Sequence, residues 1–286
     1  MAGFLAQILN GLQYGLLLFL ISSGLTLIFG VMGVINLAHG SLFMIGAYLA
    51  YVVAATTGEF WLAPPAAIIG GLAFGTLLER GLFRRFRQRD HLDQVLLTFA
   101  LILLFEEARA ALIDNQFHAV PVPALLDFSV PVVGGFAYSA YRLAVLAICL
   151  VVAAGMIAAV ERTRIGAAIR AAAENSEMLD LLGIDARLIH TLVFAVGTAL
   201  AMLAGALAAP LQSVYPGMGD GFLILSFIVV VIGGLGSIAG AFWAALLVGL
   251  VDTLGKVYAP QIAGVAVCGM MALVLLLRPT GLFVRG

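Results

Sequence analysis

The chain has 286 residues, of which 63% are hydrophobic and 10% charged, and its formal net charge is −1. A soluble domain carries roughly 25% charged residues, and much of any folded surface must meet water. This composition therefore excludes a soluble enzyme, a disordered chain and a polyelectrolyte that binds nucleic acid: the solvent is lipid.

A helix needs about 20 mostly apolar residues to cross a bilayer, and only helices or closed barrels satisfy their backbone hydrogen bonds there. The apolar runs are continuous, without a period of two, which predicts helices. No Asp, Glu, Lys or Arg precedes Glu59. The start lacks the basic region of a signal peptide, so the first segment is expected to stay as a span. In chain order the expected spans are 5–29, 35–56, 60–82, 94–113, 140–160, 189–210, 222–252 and 258–278. Pro64 and Pro65, Pro210, Pro260 and Pro279 fall near segment ends, where a missing N–H costs little. The expected fold is all-α: a polytopic membrane helix bundle of about eight transmembrane segments, two of them interrupted or re-entrant.

Basic loops stay cytoplasmic. Loop 79–93, loop 161–190 and the tail with Arg278 and Arg285 hold eleven of the 14 basic residues. All three are expected inside, with 114–139 outside, the N-terminus outside and the C-terminus inside. For that count to close, 222–252 must begin and end outside. It is read as two short crossings or half-helices around IGGLGSIAG.

No catalytic constellation is present. The single Lys, Lys256, is followed by Val257, so there is no nucleotide-binding loop. His39, His91, His118 and His190 lack metal-ligand spacing. Cys149 and Cys268 lie in apolar stretches and read as packing residues. Any energy from ATP must come from another chain, which would also hold its Mg²⁺; no cofactor is expected here.

Three stretches carry functional signals. In GLTLIFGVMGVINLAHGSLFMIGAYLAY (24–51), glycines weaken the helix and Asn36, His39 and Ser41 bring polar groups to membrane depth. Irregular backbone is tolerated there only inside protein or along a wet cavity. This reads as a broken helix lining a substrate path, against the plainer alternative of close packing through small residues. In VVVIGGLGSIAGAFWAALLVG (229–249), Gly233, Gly234, Gly236 and Ser237 form a turn-like cluster with Gly240, as in the discontinuous helices of transporters. The alternative is again a packing face. In 162–190, Ile165, Ile169, Ala172 and Leu179 share a helical face that Gly183 would end. This amphipathic helix suits docking on a soluble partner, or else lies on the membrane surface. Glu106, Glu107 and Arg109 read as an interfacial ion-pair cluster, and Asp252 with Lys256 as a structural i,i+4 pair.

The stretch GLTLIFGVMGVINLAHGSLFMIGAY resembles the N-terminal region of branched-chain amino-acid ABC transporter permeases of the LivH type. The likeness continues through RAAAENSEMLDLLGI, LVFAVGTALAMLAGALAAP, YPGMGDGFLILSFIVVVIGGLGSIAG and LRPTGLF. It implies a single permease domain over 1–286 in a bacterial inner membrane, paired with a second, LivM-like permease. Two cytoplasmic ATPases would drive the pair, and a periplasmic binding protein would deliver leucine, isoleucine or valine. By resemblance 162–187 is the loop that contacts an ATPase, with Arg170, Glu174, Asn175, Leu182 and Gly183 as its expected contact residues. The order Ala171-Ala172-Ala173-Glu174 departs from the Glu-Ala-Ala pattern of many importers. The run RRFRQR (84–89) reads as a topology anchor. Two alternatives are kept: an ABC permease for urea, short amides or other amino acids, and a stand-alone secondary transporter.

Overall fold

The computed structural model describes residues 2–87, 89–132 and 136–283. Arg285 of the tail, Gln88 of the basic run and residues 133–135 of the 114–139 connection lie outside the described residues.

Among the described residues the chain is an all-α polytopic bundle with one pair of short strands. Helix α1 (Ala2–Met32) is followed by α2 (His39–Thr57), α3 (Ala63–Leu78), the short α4 (Arg84–Phe86) and α5 (His91–Leu112). Pro64 and Pro65 open α3, and a π-turn, Glu79–Phe83, joins it to α4. Strands β1 (Ser129–Val132) and β2 (Phe136–Ser139) pair antiparallel, with Ser129 opposite Ser139. After them come α6 (Ala140–Arg162), α7 (Arg164–Glu174), α8 (Ser176–Leu181), α9 (Ala186–Ala208), α10 (Met218–Gly233), α11 (Ile238–Tyr258) and α12 (Ala263–Leu277). Among the described residues six helical stretches are long and apolar enough to cross a bilayer, and α10 and α12 are shorter apolar helices.

Helices α1 and α9 form the centre, and both are apolar on nearly every side. In lipid the hydrophobic effect does not drive helix pairing, so close approach through small residues must. Gly24 of α1 meets Gly197 of α9, while Gly71 and Gly75 of α3 meet Ala199 and Ala195 of α9. The last two pairings run α9 antiparallel to α3, and Gly24 on Gly197, with Leu17 and Ala208 lining one opening, runs it antiparallel to α1. Helix α11 runs antiparallel to α1: Gly11 lies against Leu250, Gly15 against Leu246 and Gly30 against Gly236. Helix α2 crosses α9 where Gly46 meets Met202 and Gly205 meets Phe43.

The same contacts bring the ends of α1, α3 and α10 and the start of α9 to one end of the bundle. This basic end carries Arg84, Arg85, Arg87 and Arg89, as well as Arg162, Arg164, Arg170, Arg187 and Arg278. Glu79 is fully buried beneath it. Its carboxylate accepts a hydrogen bond from Thr191 Oγ1 at 2.6 Å and pairs with Arg84 at 3.2 Å. Arg87 lies against His190. A charge taken out of water needs partners of this kind, and they tie the π-turn to α9. The tail returns to this end, where Leu282 N–H donates to the Ile232 carbonyl at 2.9 Å.

Several boundaries differ from the sequence reading. The second span begins at His39 instead of 35, because Gly33 ends α1 at φ 65° and residues 34–38 are not helical. Segment 222–252 is two helices meeting at Gly234–Ser237, the broken version expected above. The amphipathic loop helix is also two. Asn175 adopts φ −157°, and its side-chain oxygen accepts from the backbone N–H groups of Glu177 and Met178, both at 3.0 Å. An asparagine that caps a new helix competes with continuing the old one. Ile165 is exposed and so leaves the face expected for it, whereas Ala172 and Leu179 are buried. Cys149 packs inside, but Cys268 stands exposed on peripheral α12.

Candidate functional site

The link after α1 turns back into the bundle. Val34, Asn36 and Ala38 are buried, and His39 Nε2 lies 2.9 Å from the Ile21 carbonyl oxygen. Helix α2 therefore begins roughly 16 Å short of the end of α1, at 1.5 Å of rise per residue. Helix α10 begins beside it, since a Cβ added at Gly40 would lie 2.5 Å from the Gly219 carbonyl oxygen. Two helix starts thus meet within the bundle; neither N-cap residue caps its helix through its own side chain, and the Glu106 carboxylate accepts from Gly217 N–H at the start of α10. The first N–H groups of a helix have no intrahelical acceptor and carry partial positive charge.

Polar groups gather there. Asn36, His39 and Ser41 are all buried. Ser22 Oγ, Asn36 Oδ1 and His39 Nδ1 make no hydrogen bond within the protein. Such groups normally find partners, and leaving one unmet costs about 1–3 kcal/mol. A region with spare hydrogen-bonding capacity and two helix starts can serve a polar solute in transit.

The second predicted cluster lies elsewhere. Gly233 and Gly234 are buried, Gly236 is exposed and Ser237 is partly exposed, all at the basic end. Gly234 and Gly236 hold φ of 95° and 83°, which permits the tight reversal, and Ser237 Oγ caps α11 by accepting from Gly240 N–H at 3.1 Å. Gly236 faces Gly30 near the end of α1, and the tail covers Gly234 through Gly281. What meets the start of α2 is the start of α10, at Gly219, a residue the sequence reading did not single out.

At the end away from the arginines lies an open cleft of about 340 Å³ between α1, α6, α9, α10 and α11. One face of α1 supplies Gln7, Asn10 and Gln13 to it. Arg142 Nη1 donates to Asn10 Oδ1 at 3.2 Å and to Gln13 Oε1 at 3.4 Å. The Tyr138 hydroxyl also donates to Asn10 Oδ1, at 3.0 Å. Burial pushes the Tyr138 phenol up from its ordinary value and outweighs the opposing pull of Arg142, so the hydroxyl keeps its proton. Lys256 Nζ lies 2.6 Å from Asp252 Oδ2, the pair expected from sequence. The cleft floor is aromatic: Phe222 sits 5.9 Å from Tyr14 and stacks on Phe43 of α2 at 4.1 Å. Both rings stand near the starts of their helices, Phe43 in α2 and Phe222 in α10. The amides at 7, 10 and 13 recur every three residues, a helical spacing that is itself a sequence signal for a polar face.

At the basic end, Arg170 turns back and donates to the Val160 carbonyl, fastening α7 to the end of α6. Glu174 is exposed, Asn175 caps α8, and Gly183 ends α8 at φ 80°. Leu181 and Leu182 are 82% and 70% exposed at this polar end, with Met178 beside them. Glu106 pairs with Arg109 at 3.2 Å, the ion pair expected from sequence, and accepts from Gly217 N–H at 2.9 Å beside the start of α10.

Comparison with known proteins agrees with this architecture. Residues 7–276 match the family described as branched-chain amino acid transport system / permease component. The chain is 33% identical to the high-affinity branched-chain amino acid transport system permease protein BraD of Pseudomonas aeruginosa, over 99% of this chain and 96% of that one. It is 31% identical to the corresponding LivH of Escherichia coli, again over 99% and 96%. A probable LivH of Methanocaldococcus jannaschii is 28% identical over 88% of this chain and 81% of its own. No solved structure matches. A family match over nearly the whole length, on a bundle with two broken helices, has one reading: the chain belongs to the permease components of branched-chain amino acid transport systems.

Proposed function

We propose that this chain is the membrane-spanning permease of an ATP-binding-cassette importer that carries leucine, isoleucine and valine across a bacterial inner membrane. The observation that carries the reading is the end-to-end likeness to BraD and LivH, whose names state that cargo. The basic end faces the cytoplasm by the positive-inside rule, which puts the N-terminus in the periplasm and the C-terminus inside.

Substrate delivered by a periplasmic binding protein enters the cleft and passes the Phe222–Phe43 stack. It then meets the polar groups of Asn36, His39 and Ser41 beside the two helix starts, whose N–H groups suit its carboxylate. The turn at Gly233, Gly234, Gly236 and Ser237 forms the inner end of the path. A second, LivM-like permease completes the membrane unit. Two ATPases, holding ATP and Mg²⁺, grip α7 and α8 through Glu174, Asn175, Leu182 and the exposed leucines, while Arg170 and Gly183 shape the loop. The motor therefore lies in other chains, and this one shifts between outward-open and inward-open states.

The test is uptake of labelled leucine into proteoliposomes with and without the ATPases and the binding protein. ATP-dependent uptake that needs both supports the proposal. Uptake without either overturns the partner-driven mechanism, and ATP-dependent uptake of urea but not leucine overturns the cargo.

A further inference from the structure

The cleft opposite the arginines sets unlike charges on different helices. Arg142 stands in the first turn of α6, the positive end of that helix dipole, where a cation is misplaced unless an anion joins it. Its partners Asn10 and Gln13 are neutral, and among the described residues no carboxylate lies within ion-pair distance of it. Asp252 is 5% exposed and lies toward the negative end of α11. Its partner Lys256 has a side chain 61% exposed, a flexible arm free to swing away. In place, the Lys256 ammonium touches Asp252 and lies 5.5 Å from the Tyr14 ring centre. A primary ammonium is thus already held between a carboxylate and an aromatic face. Leu17 and Phe222 supply an apolar wall, and the volume is at the lower edge of small-molecule sites.

We propose that this cleft binds a zwitterionic α-amino acid, with Arg142 on the carboxylate, Asp252 on the ammonium in place of Lys256, and the Leu17–Phe222 wall on the side chain. The inference rests on the amino-acid transport proposed above and adds that the permease itself reads both charged ends of its cargo. Arginine suits the carboxylate because its planar fork can bind two oxygens while Asn10 and Gln13 fix its orientation.

The test is local to the cleft. A cysteine is placed by Gln212→Cys in a Cys268→Ser background, in full-length protein in lipid nanodiscs. Its rate of reaction with a charged thiol reagent is then followed. Protection scales as one plus the ratio of ligand to dissociation constant, so leucine at ten times that constant should slow modification about tenfold. Leucinamide, lacking the carboxylate, and 4-methylpentanoate, lacking the ammonium, should bind about tenfold more weakly, the worth of one charge-assisted contact, and so slow modification only about twofold at equal concentration. Arg142→Gln should weaken protection by leucine and leave that by leucinamide unchanged. Equal protection by all three compounds, or by none, overturns the inference, and this arm leaves Arg142 and Asp252 intact, so misfolding cannot explain it. Leucine uptake by the whole transporter with no protection in the cleft refutes the site and spares the cargo. Selective protection without leucine uptake refutes the cargo and spares the site.

Discussion

Two alanine substitutions of identical chemistry should move stability in opposite directions. At Gly24 of α1, an added Cβ would lie 2.5 Å from the Gly197 carbonyl oxygen and 3.0 Å from its Cα, against about 3.4 Å for ordinary contact. Both neighbours are backbone, so helices α1 and α9 must part by close to an ångström. Neither is free to do so: α1 is also pressed against α11 at Gly11 and Gly15, and α9 against α3 at Ala195 and Ala199. Overpacking of this kind costs about 1–3 kcal/mol, or roughly 3–10 °C in melting temperature at the usual conversion for a chain of this size. At Gly155 of α6 nothing lies within 4 Å of the added carbon. There the gain in helix propensity, about 0.5–1 kcal/mol, should raise the melting temperature by roughly 1–3 °C. The assay is thermal unfolding of each purified variant in the same lipid nanodisc, followed by size-exclusion chromatography. Shifts of the same sign for Gly24→Ala and Gly155→Ala would refute the view that backbone approach at Gly24 holds the centre together.

Thr191→Val keeps the shape but removes the 2.6 Å bond to buried Glu79; a loss of about 1.5–3 kcal/mol is expected, read as a lower melting temperature, and an unchanged one would mean Arg84 alone satisfies that carboxylate. Asn175→Ala removes the cap of α8, worth about 1 kcal/mol. Amide exchange over residues 176–181 should rise about fivefold with little change in global melting, whereas unchanged exchange would place the order of α8 in its packing. Phe222→Ala deletes the ring that stacks on Phe43; on the path proposed here, proteoliposomes should then leak leucine without ATP, and tight liposomes would show that this ring is no barrier.

How much of this was legible beforehand depended on the scale of the signal. Spans could be read because lipid demands long apolar helices, and the bounds of α3, α6 and α9 fall within a few residues of those expected. Charge counting alone required 222–252 to turn back, and Gly234 with Gly236 supplies the turn. The depth at which α2 begins was not legible. An apolar sequence with Gly33 and Asn36 is equally compatible with a tight loop at the surface, and only the contacts of His39 with Ile21 and of Gly40 with Gly219 decide it. The strand pair Ser129–Ser139 was missed because two four-residue strands lack the length to show a period. The cleft was missed for a different reason. Its charges, Arg142 and Asp252, are 110 positions apart in sequence, and only the antiparallel packing of α11 on α1 brings them to one opening.

Helix α1 orders these features. From its beginning it meets first the cleft residues Asn10 and Gln13, then Tyr14 with the Phe222 ring, then Ile21 with His39, and last Gly30 with Gly236. The stations are contacts of α1 with α6, α10, α2 and the turn between α10 and α11, so a shift of α1 would change the cleft, the aromatic stack and the inner turn in one motion. The segment proposed to meet the ATPase packs on α1 and its neighbours. Helix α7 packs against α1, α6 and α9, and Asp180 of α8 accepts from the first N–H of α9 at 2.9 Å. On the ATPase contact proposed above, a push on the exposed leucines of α8 would reach the two central helices through these contacts. Glycine contacts make this transmission stiff, because backbones in direct contact leave no side chain to absorb the displacement. The small residues along α1 thus serve two ends: they allow the bundle to form without a hydrophobic driving force, and they let a force applied at one face be felt at the other.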